Sequence, residues 1–302
     1  MEELQRFKKL FDEQGTLIEH DSFARYTSWR VGGKIALTFL PTTMETAIAA
    51  FQYICQHKLP YKIIGKGSNI LPKDKTFAGI VLNLTKIKDN FEQLSETRFM
   101  IGAGYALQPL CRLLAKKGYT GHEFLSGIPG TIGGAIVMNA GTPQGEIKDI
   151  LVQATVVDAT GTIRKLSNAD LAFAYRTSKL KQTPEFLIVS GDFYFEKEDV
   201  AGASLEEIQT ARAIRKEKQP LEYPSCGSVF RNPEGAYAGA LIEAVGLKGF
   251  RIGDAQISEK HANFIINLGN ATATDIRTLI EKVQATVWQE KGIQLVTEVE
   301  FL

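Results

Sequence analysis

The 302-residue sequence predicts an α+β protein of more than one domain. Three observations predict it. Apolar runs of strand length alternate with amphipathic runs of helix length through the first part of the chain. Two glycine-rich stretches break that alternation, one of them apolar throughout. From about Ser204 the texture changes to a charged helix, short strands, a long helix and a closing strand. With 44% hydrophobic residues the chain can bury a sizeable core, and a boundary is expected near residue 200.

The first element is "MEELQRFKKLFDEQG", whose Leu4, Phe7, Leu10 and Phe11 are read as one apolar helical stripe. Its early acidic residues mark a docking helix rather than a signal peptide. "KIALTFLP", Lys34 to Pro41, reads as a strand, followed by a helix from about Thr43 to His57 and by the strand "YKIIG". This β-α-β unit is expected to deliver "IGKGSNIL", Ile64 to Leu71, at the carboxyl end of its second strand, where open α/β sheets bind ligands. Gly65 and Gly67 permit positive φ and leave backbone N–H groups accessible. The loop is therefore either an ordinary turn or a cradle for an anion such as a phosphate. It is not a kinase-type P-loop, because a lysine lies between the glycines and Pro72 stops a helix; nor does a third glycine complete a dinucleotide fingerprint.

"GIVLNL" and "RFMIGAG" read as strands, and a helix follows from about Leu107 to Lys117. "GHEFLSGIPGTIGGAIVMNAG", Gly121 to Gly141, holds six glycines and a proline yet stays apolar. Exposed linkers of that composition are polar, so this backbone is expected to lie buried against something large and flat. A hairpin from "LVQATVVDATG" and "TIRKL" and an alternating strand "FLIVSGDFYFE" complete the region. Beyond it come the charged helix, a helix from about Thr274 to Gln289, and the strand "IQLVTEVEFL". Period-2 alternation there puts Leu295, Thr297, Val299 and Phe301 on one face and Glu298 and Glu300 on the other.

Composition narrows the function. Thirty-five basic against 34 acidic residues give a net charge of +1, and no basic face with interleaved aromatics suggests a nucleic-acid surface. "RAIRKEKQP", Arg212 to Pro220, reads as a solvated helix end. No apolar run approaches the roughly 20 residues of a membrane span, so a cytoplasmic protein is expected. Cys55, Cys111 and Cys226 are scattered without metal spacing, which fits a reducing compartment; His20, His57, His122 and His261 are equally dispersed, and no metal site is expected.

In this order and at these separations, "YTSWRVGG", "IGKGSNIL", "LSGIPGTIGGAIVMNAG", "YRTSKLK", "CGSVFRNP" and "TEVEFL" resemble the motifs of the UDP-N-acetylenolpyruvoylglucosamine reductases, FAD enzymes of bacterial cell-wall synthesis. Each piece alone is common. Six in order, spanning nearly the whole chain, are specific. The resemblance implies a fold of the vanillyl-alcohol-oxidase type. Segments 1–90 and 91–200 would be α+β subdomains around FAD, and 201–302 a substrate domain whose last strand, from about residue 293, reaches the active site. It also implies that Gly65, Gly67, Ser68 and Asn69 hold the FAD diphosphate. Gly127, Ile128, Pro129, Gly130, Thr131, Gly133 and Gly134 would run beside the diphosphate and flavin, with Ala135 and Asn139 close by. Neither FAD motif contains His or Cys, so non-covalent FAD is expected.

The implied reaction draws on NADPH and reduces the enolpyruvyl group of UDP-N-acetylglucosamine enolpyruvate to give UDP-N-acetylmuramate, a step of peptidoglycan synthesis. Arg176 matches the family's cation for the substrate carboxylate, Ser228 its proton donor, and Glu298 its catalytic glutamate. Lys218 and Asn232 match substrate-holding positions. His261 and Glu300 stand where the longer family type has glutamine and arginine, and the short stretch from Arg176 to Gly191 leaves no room for an inserted tyrosine-bearing loop. The shorter second type is therefore implied, with small-molecule partners only and a monomer expected. Tyr175 is read as packing and Cys226 as a bystander. Two rivals stay open: an FAD-dependent sugar or lactone oxidase of the same fold, and a non-catalytic nucleotide-binding module.

Overall fold

The computed structural model describes residues 2–87, 91–183 and 185–302. In chain order its elements begin with α1 (Glu2–Phe11), β1 (Gly15–Ser22), β2 (Lys34–Pro41), α2 (Met44–Gln56), β3 (Tyr61–Ile64), β4 (Ile70–Leu71) and β5 (Phe77–Asn83). Then come β6 (Phe91–Gln93), β7 (Arg98–Gly102), α3 (Leu107–Lys116), β8 (Tyr119–Thr120), α4 (Ile132–Met138), β9 (Gly141–Thr142), β10 (Gly145–Glu146) and α5 (Ile147–Ile150). β11 (Leu151–Val157), β12 (Ile163–Ser167), α6 (Lys179–Gln182), β13 (Leu187–Tyr194), β14 (Glu196–Lys197) and α7 (Ala203–Lys218) follow. The chain closes with α8 (Ala238–Ala244), β15 (Arg251–Ile252), β16 (Ala255–Ile257), β17 (Ile265–Asn267), α9 (Ala273–Lys291) and β18 (Glu300–Phe301).

The chain divides into two compact units that do not follow sequence order. One comprises residues 1–21, 36–66 and 78–212; the other comprises 22–35, 67–77 and 213–302. Each has its own apolar core.

Among the described residues the first unit contains two larger sheets and two two-stranded ones. One larger sheet has the order β1-β2-β5-β3, with β3 and β5 parallel. β5 therefore intervenes between the two strands of the predicted β-α-β unit, and the glycine loop leaves an edge strand. α2 starts where expected because the Thr43 hydroxyl accepts a hydrogen bond from Thr46 N–H. α1 buries Phe7 and Phe11, whose rings lie 5.5 Å from that of Phe39. Leu10 corrects the predicted stripe: it is 53% exposed, because 100° per residue turns it away from the face shared by Leu4, Phe7 and Phe11. The second sheet has the order β12-β11-β13-β7-β6. β13 pairs antiparallel with both β11 and β7, so it is a central strand, and the predicted alternation of "FLIVSGDFYFE" gives way to nearly continuous burial that includes Ser190 and Asp192.

The second unit packs α8 and α9 with the sheet β15-β16-β17. The segment 22–35 inserts the fully buried Trp29, whose indole N–H donates to Ile265 O at 2.6 Å. Asp74 holds the segment 67–77 by accepting hydrogen bonds from Ala273 N and Thr274 N, each at 2.9 Å, in the first turn of α9. Burial pushes the Asp74 pKa up, but the Thr274 hydroxyl and these two N–H groups outweigh it and the net shift is downward. α9 ends at Gly292, which adopts φ +67.

The predicted closing strand is shorter in the structure. Only Glu300 and Phe301 form a regular strand, parallel to β4, with a separate bridge from Thr297 to Phe230. Leu295 and Val299 are buried as the alternation requires, whereas Phe301 is 40% exposed and lies beneath the Arg277 guanidinium, 4.3 Å from its ring centroid.

Candidate active site

Loops of the first unit converge on the end of β3. A Cβ on Gly65 would collide with the Thr131 hydroxyl, so the two predicted glycine-rich motifs touch directly. Asn83 Nδ2 donates to Gly65 O at 3.3 Å. Gly133 N donates to Ala103 O at 2.8 Å and Ile132 N to Tyr105 O at 2.9 Å, while Leu107 N donates to Gly130 O at 3.2 Å. A Cβ on Gly104 would run into Leu84 O. The glycines here let backbones approach to hydrogen-bonding distance. Asn83, Ala103 and Gly104 join these contacts without a distinct sequence signal: Asn83 ends β5, and the "AG" of "RFMIGAG" follows directly on β7.

Gly134 has a different reason to be glycine. It is exposed, and the nearest atom to a Cβ built there is Thr131 Oγ1 at 3.8 Å. The protein's own packing does not require the missing side chain. The space beside this exposed backbone is open, and a Cβ would occupy part of it, so the start of α4 leaves room for a flat ligand to lie on backbone. The expected burial of the 121–141 segment is mixed: Gly127 and Ala135 are buried, Ile128 is half-buried and Pro129 is exposed.

Arg176 sits on a tight turn beyond α4. Ala174 and Thr177 exchange backbone hydrogen bonds at 3.1 Å, and Arg176 between them adopts φ +56. A non-glycine residue in that region carries strain of roughly 1 kcal/mol or more, so the surroundings must hold it. Ser178 Oγ donates to Val137 O at 2.8 Å, Asn139 Nδ2 to Ala174 O at 3.2 Å, and Arg176 Nη2 to Gly141 O at 2.8 Å. Asn139, fully buried with φ +44, also donates to Glu146 Oε2 and accepts from Lys148 N. Its amide thus holds protein loops together. The Arg176 guanidinium lies 5.0 Å over the exposed Tyr175 ring.

In the second unit, Gly67 adopts φ +58, its O accepts from Ser28 N at 3.1 Å, and a Cβ would collide with Tyr26 O. Its glycine is a requirement of this packing. Asn69 clamps the chain terminus: Nδ2 donates to Glu298 O at 2.9 Å, and Glu300 N donates to Asn69 O at 3.0 Å. Ser68 is half-buried in the same loop. Glu298 N in turn donates to Val229 O at 2.8 Å, which brings Glu298 beside the neighbour of Ser228. Gly227 precedes Ser228 at φ +86 with nothing near a Cβ, so only backbone conformation demands glycine there. Burial pushes the Cys226 thiol well above its ordinary range and the Glu298 charge adds to it, so Cys226 is a neutral thiol.

Asn263 ties this segment to the position of His261. It accepts from Phe230 N at 3.0 Å and donates to Phe230 O at 2.9 Å, while its own N donates to His261 Nδ1 at 3.2 Å. That bond fixes the proton of a neutral ring on Nε2, and burial lowers the His261 pKa in the same sense. Asn232 Oδ1 accepts from Ala238 N, the first N–H of α8, at 3.0 Å; Lys218 is exposed at the end of α7. Among the described residues there is no His/Cys/Asp/Glu cluster able to hold a metal, and no helix long and apolar enough to cross a membrane.

Comparison with known proteins connects these features. Residues 35–167 match a family model described as FAD binding domain, and residues 219–302 match one described as UDP-N-acetylenolpyruvoylglucosamine reductase, C-terminal domain. The UDP-N-acetylenolpyruvoylglucosamine reductase of Halalkalibacterium halodurans is 39% identical over 294 residues, covering 95% of each chain. The chain belongs to the UDP-N-acetylenolpyruvoylglucosamine reductase family. The crystal structure of the Thermus caldophilus UDP-N-acetylenolpyruvylglucosamine reductase superposes with a TM-score of 0.78 at 32% identity, over 95% of this chain and 98% of that one. At 15% identity and a TM-score of 0.50, p-cresol methylhydroxylase shares the fold over 98% of this chain and 65% of its own. The reductase therefore has the expected α+β fold of the vanillyl-alcohol-oxidase type with a C-terminal reductase domain.

Proposed function

We propose that this chain is an FAD-dependent reductase that uses NADPH to convert UDP-N-acetylglucosamine enolpyruvate to UDP-N-acetylmuramate. The observation that carries the reading is its near-full-length relationship to UDP-N-acetylenolpyruvoylglucosamine reductases. FAD, when bound, supplies hydride transfer between NADPH and the enolpyruvyl group. The exposed backbone at Gly134, with Gly65, Gly127, Ile128, Pro129, Gly130, Thr131, Gly133 and Ala135, is the proposed flavin and diphosphate side. Gly67, Ser68 and Asn69 complete the proposed diphosphate loop. Asn139 acts through the loops it holds.

The chain's own residues handle charge and protons. As the double bond is reduced, negative charge moves onto the neighbouring carboxylate and must be stabilised. The planar fork of Arg176, already oriented by Gly141 O, suits that carboxylate, and Glu298 assists it. The ether-bearing carbon then takes a proton from Ser228, whose hydroxyl is neutral and remains protonated until a strongly basic enediolate-like centre forms beside it. Lys218, Asn232 and the Nε2–H of His261 are the proposed donors to the substrate's polar groups. We place the enzyme in the cytoplasm as a monomer, with segments 1–90 and 91–200 serving FAD and 201–302 the substrate.

Purified protein tests this directly. It is expected to be yellow from dissociable FAD and to consume NADPH only when the enolpyruvyl substrate is present, with UDP-N-acetylmuramate identified by mass. Colourless protein that fails to take up FAD would support the nucleotide-module rival. Substrate-independent NADPH oxidation would also count against the reading.

A further inference from the structure

Arg176 receives its orientation from one small hairpin. β9 and β10 pair antiparallel with Glu146 opposite Gly141, and both residues of that pair face the arginine. Gly141 O accepts from Arg176 Nη2 at 2.8 Å, and Glu146 Oε1 lies 3.8 Å from Arg176 Nη1. A hydrogen bond at one Nη and an ion-pair contact at the other thus restrict the rotation of one planar guanidinium.

Glu146 is itself firmly held. Its Oε2 accepts from Asn139 Nδ2 at 3.0 Å and lies 2.9 Å from Lys148 Nζ, and its carboxylate also accepts from the Asp149 backbone in the capping box of α5. Its side chain is only 18% exposed. Gly141 must be glycine for this arrangement, because a Cβ there would lie 2.7 Å from Glu146 Cγ and collide with Gly145 O. Asn139 closes the bracket by donating to Ala174 O at the foot of the Arg176 turn. The turn is strained at Arg176, so it needs such support.

We propose that Glu146, opposite Gly141 in this hairpin, is a positioning residue that fixes the guanidinium plane of Arg176 for the substrate carboxylate. The inference rests on the functional reading above and deepens it. Glu146 touches neither substrate nor cofactor in this scheme. It keeps Arg176 from turning away or pairing elsewhere when the substrate is absent, so that the carboxylate meets a preorganised fork.

Glu146→Asp separates positioning from structure. Aspartate is a good N-cap and keeps both the charge and the start of α5, but it is one methylene too short to reach both Asn139 and Arg176. The expected result has KM for the enolpyruvyl substrate raised and substrate-driven flavin reoxidation slowed, together costing about tenfold or more in kcat/KM. FAD content, flavin reduction by NADPH and the melting temperature should stay close to wild type. Glu146→Gln, which keeps length and one acceptor, should retain more activity than the Asp variant. In arginine-labelled apoprotein, Arg176 Nη–H NMR signals, assigned by their loss in Arg176→Lys, should be distinct in wild type and coalesce in Glu146→Asp. Wild-type reoxidation in Glu146→Asp, or equal slowing of both half-reactions, overturns the inference. Unchanged Arg176 signals also overturn it. If wild type itself fails to turn over the enolpyruvyl substrate, the functional reading fails and the NMR comparison still decides the bracket.

Discussion

Gly134→Ala is the sharpest probe of the cofactor face. The residue occupies the first turn of α4, at ordinary helical φ, and the nearest protein atom to its new methyl would be Thr131 Oγ1 at 3.8 Å. The substitution therefore introduces no clash within the protein, and replacing glycine by alanine in a helix stabilises by up to about 1 kcal/mol. A protein of this size should melt about 2 °C higher or unchanged. If flavin lies on this backbone, the same methyl overpacks the ligand by about 1–3 kcal/mol, or roughly fivefold to 150-fold in FAD affinity. Gly67→Ala supplies the contrast, because strain at φ +58 and collision with Tyr26 O should destabilise the fold itself. Thermal melts of both apoproteins and fluorescence titration with FAD give the readouts. A Gly134→Ala protein that is stable and binds FAD like wild type would refute the proposed cradle. A destabilised one would refute the reading of open space.

Three further outcomes are expected. Arg176→Lys keeps a charge but loses the fork and its hydrogen bond to Gly141 O, so turnover should fall roughly a hundredfold while flavin reduction by NADPH stays within about twofold; equal slowing of both would remove Arg176 from substrate chemistry. Ser228→Ala should slow substrate-driven reoxidation by about two to four powers of ten, with partial recovery in Ser228→Cys, as stopped-flow absorbance of the separate half-reactions would show. His122 is fully buried, Nε2 lies 3.0 Å from Tyr119 O, and burial lowers its pKa despite the opposing Glu123 charge. The unfolded chain thus takes up a proton near the ordinary histidine value while the fold resists it. His122 contributes its stability above that value and loses it as pH falls through the depressed folded pKa, at up to about 1.4 kcal/mol per pH unit. The fall in urea midpoint from pH 7.5 to pH 5.5 should be smaller in His122→Gln than in wild type, and an identical fall would contradict the account.

Local signals in the sequence were legible where local chemistry decides. β2 and α2 begin and end within a residue or two of expectation, because an apolar run closed by Pro41 and a threonine N-cap set them. The glycine motifs themselves were legible, though not their contact at Gly65 and Thr131. Pairing was not. Nothing near "YKII" says that β5 will come between β2 and β3, and nothing near Trp29 says that 22–35 packs with residues 213–302. The Glu146 bracket was equally hidden, because it depends on a cross-strand pair and on a turn 30 residues further on. Closing-strand alternation identified Leu295 and Val299 correctly but overreached at Phe301, where parallel pairing with β4 occurs at an edge rather than within a covered sheet.

An anaerobic titration tests the central claim most directly. NADPH added to the yellow enzyme should bleach the flavin band, and UDP-N-acetylglucosamine enolpyruvate added next should restore it in one-to-one proportion, yielding a product heavier by two hydrogen atoms. If the colour returns only on admitting oxygen, with hydrogen peroxide formed and the enolpyruvyl compound recovered intact, the protein is not a reductase of this substrate.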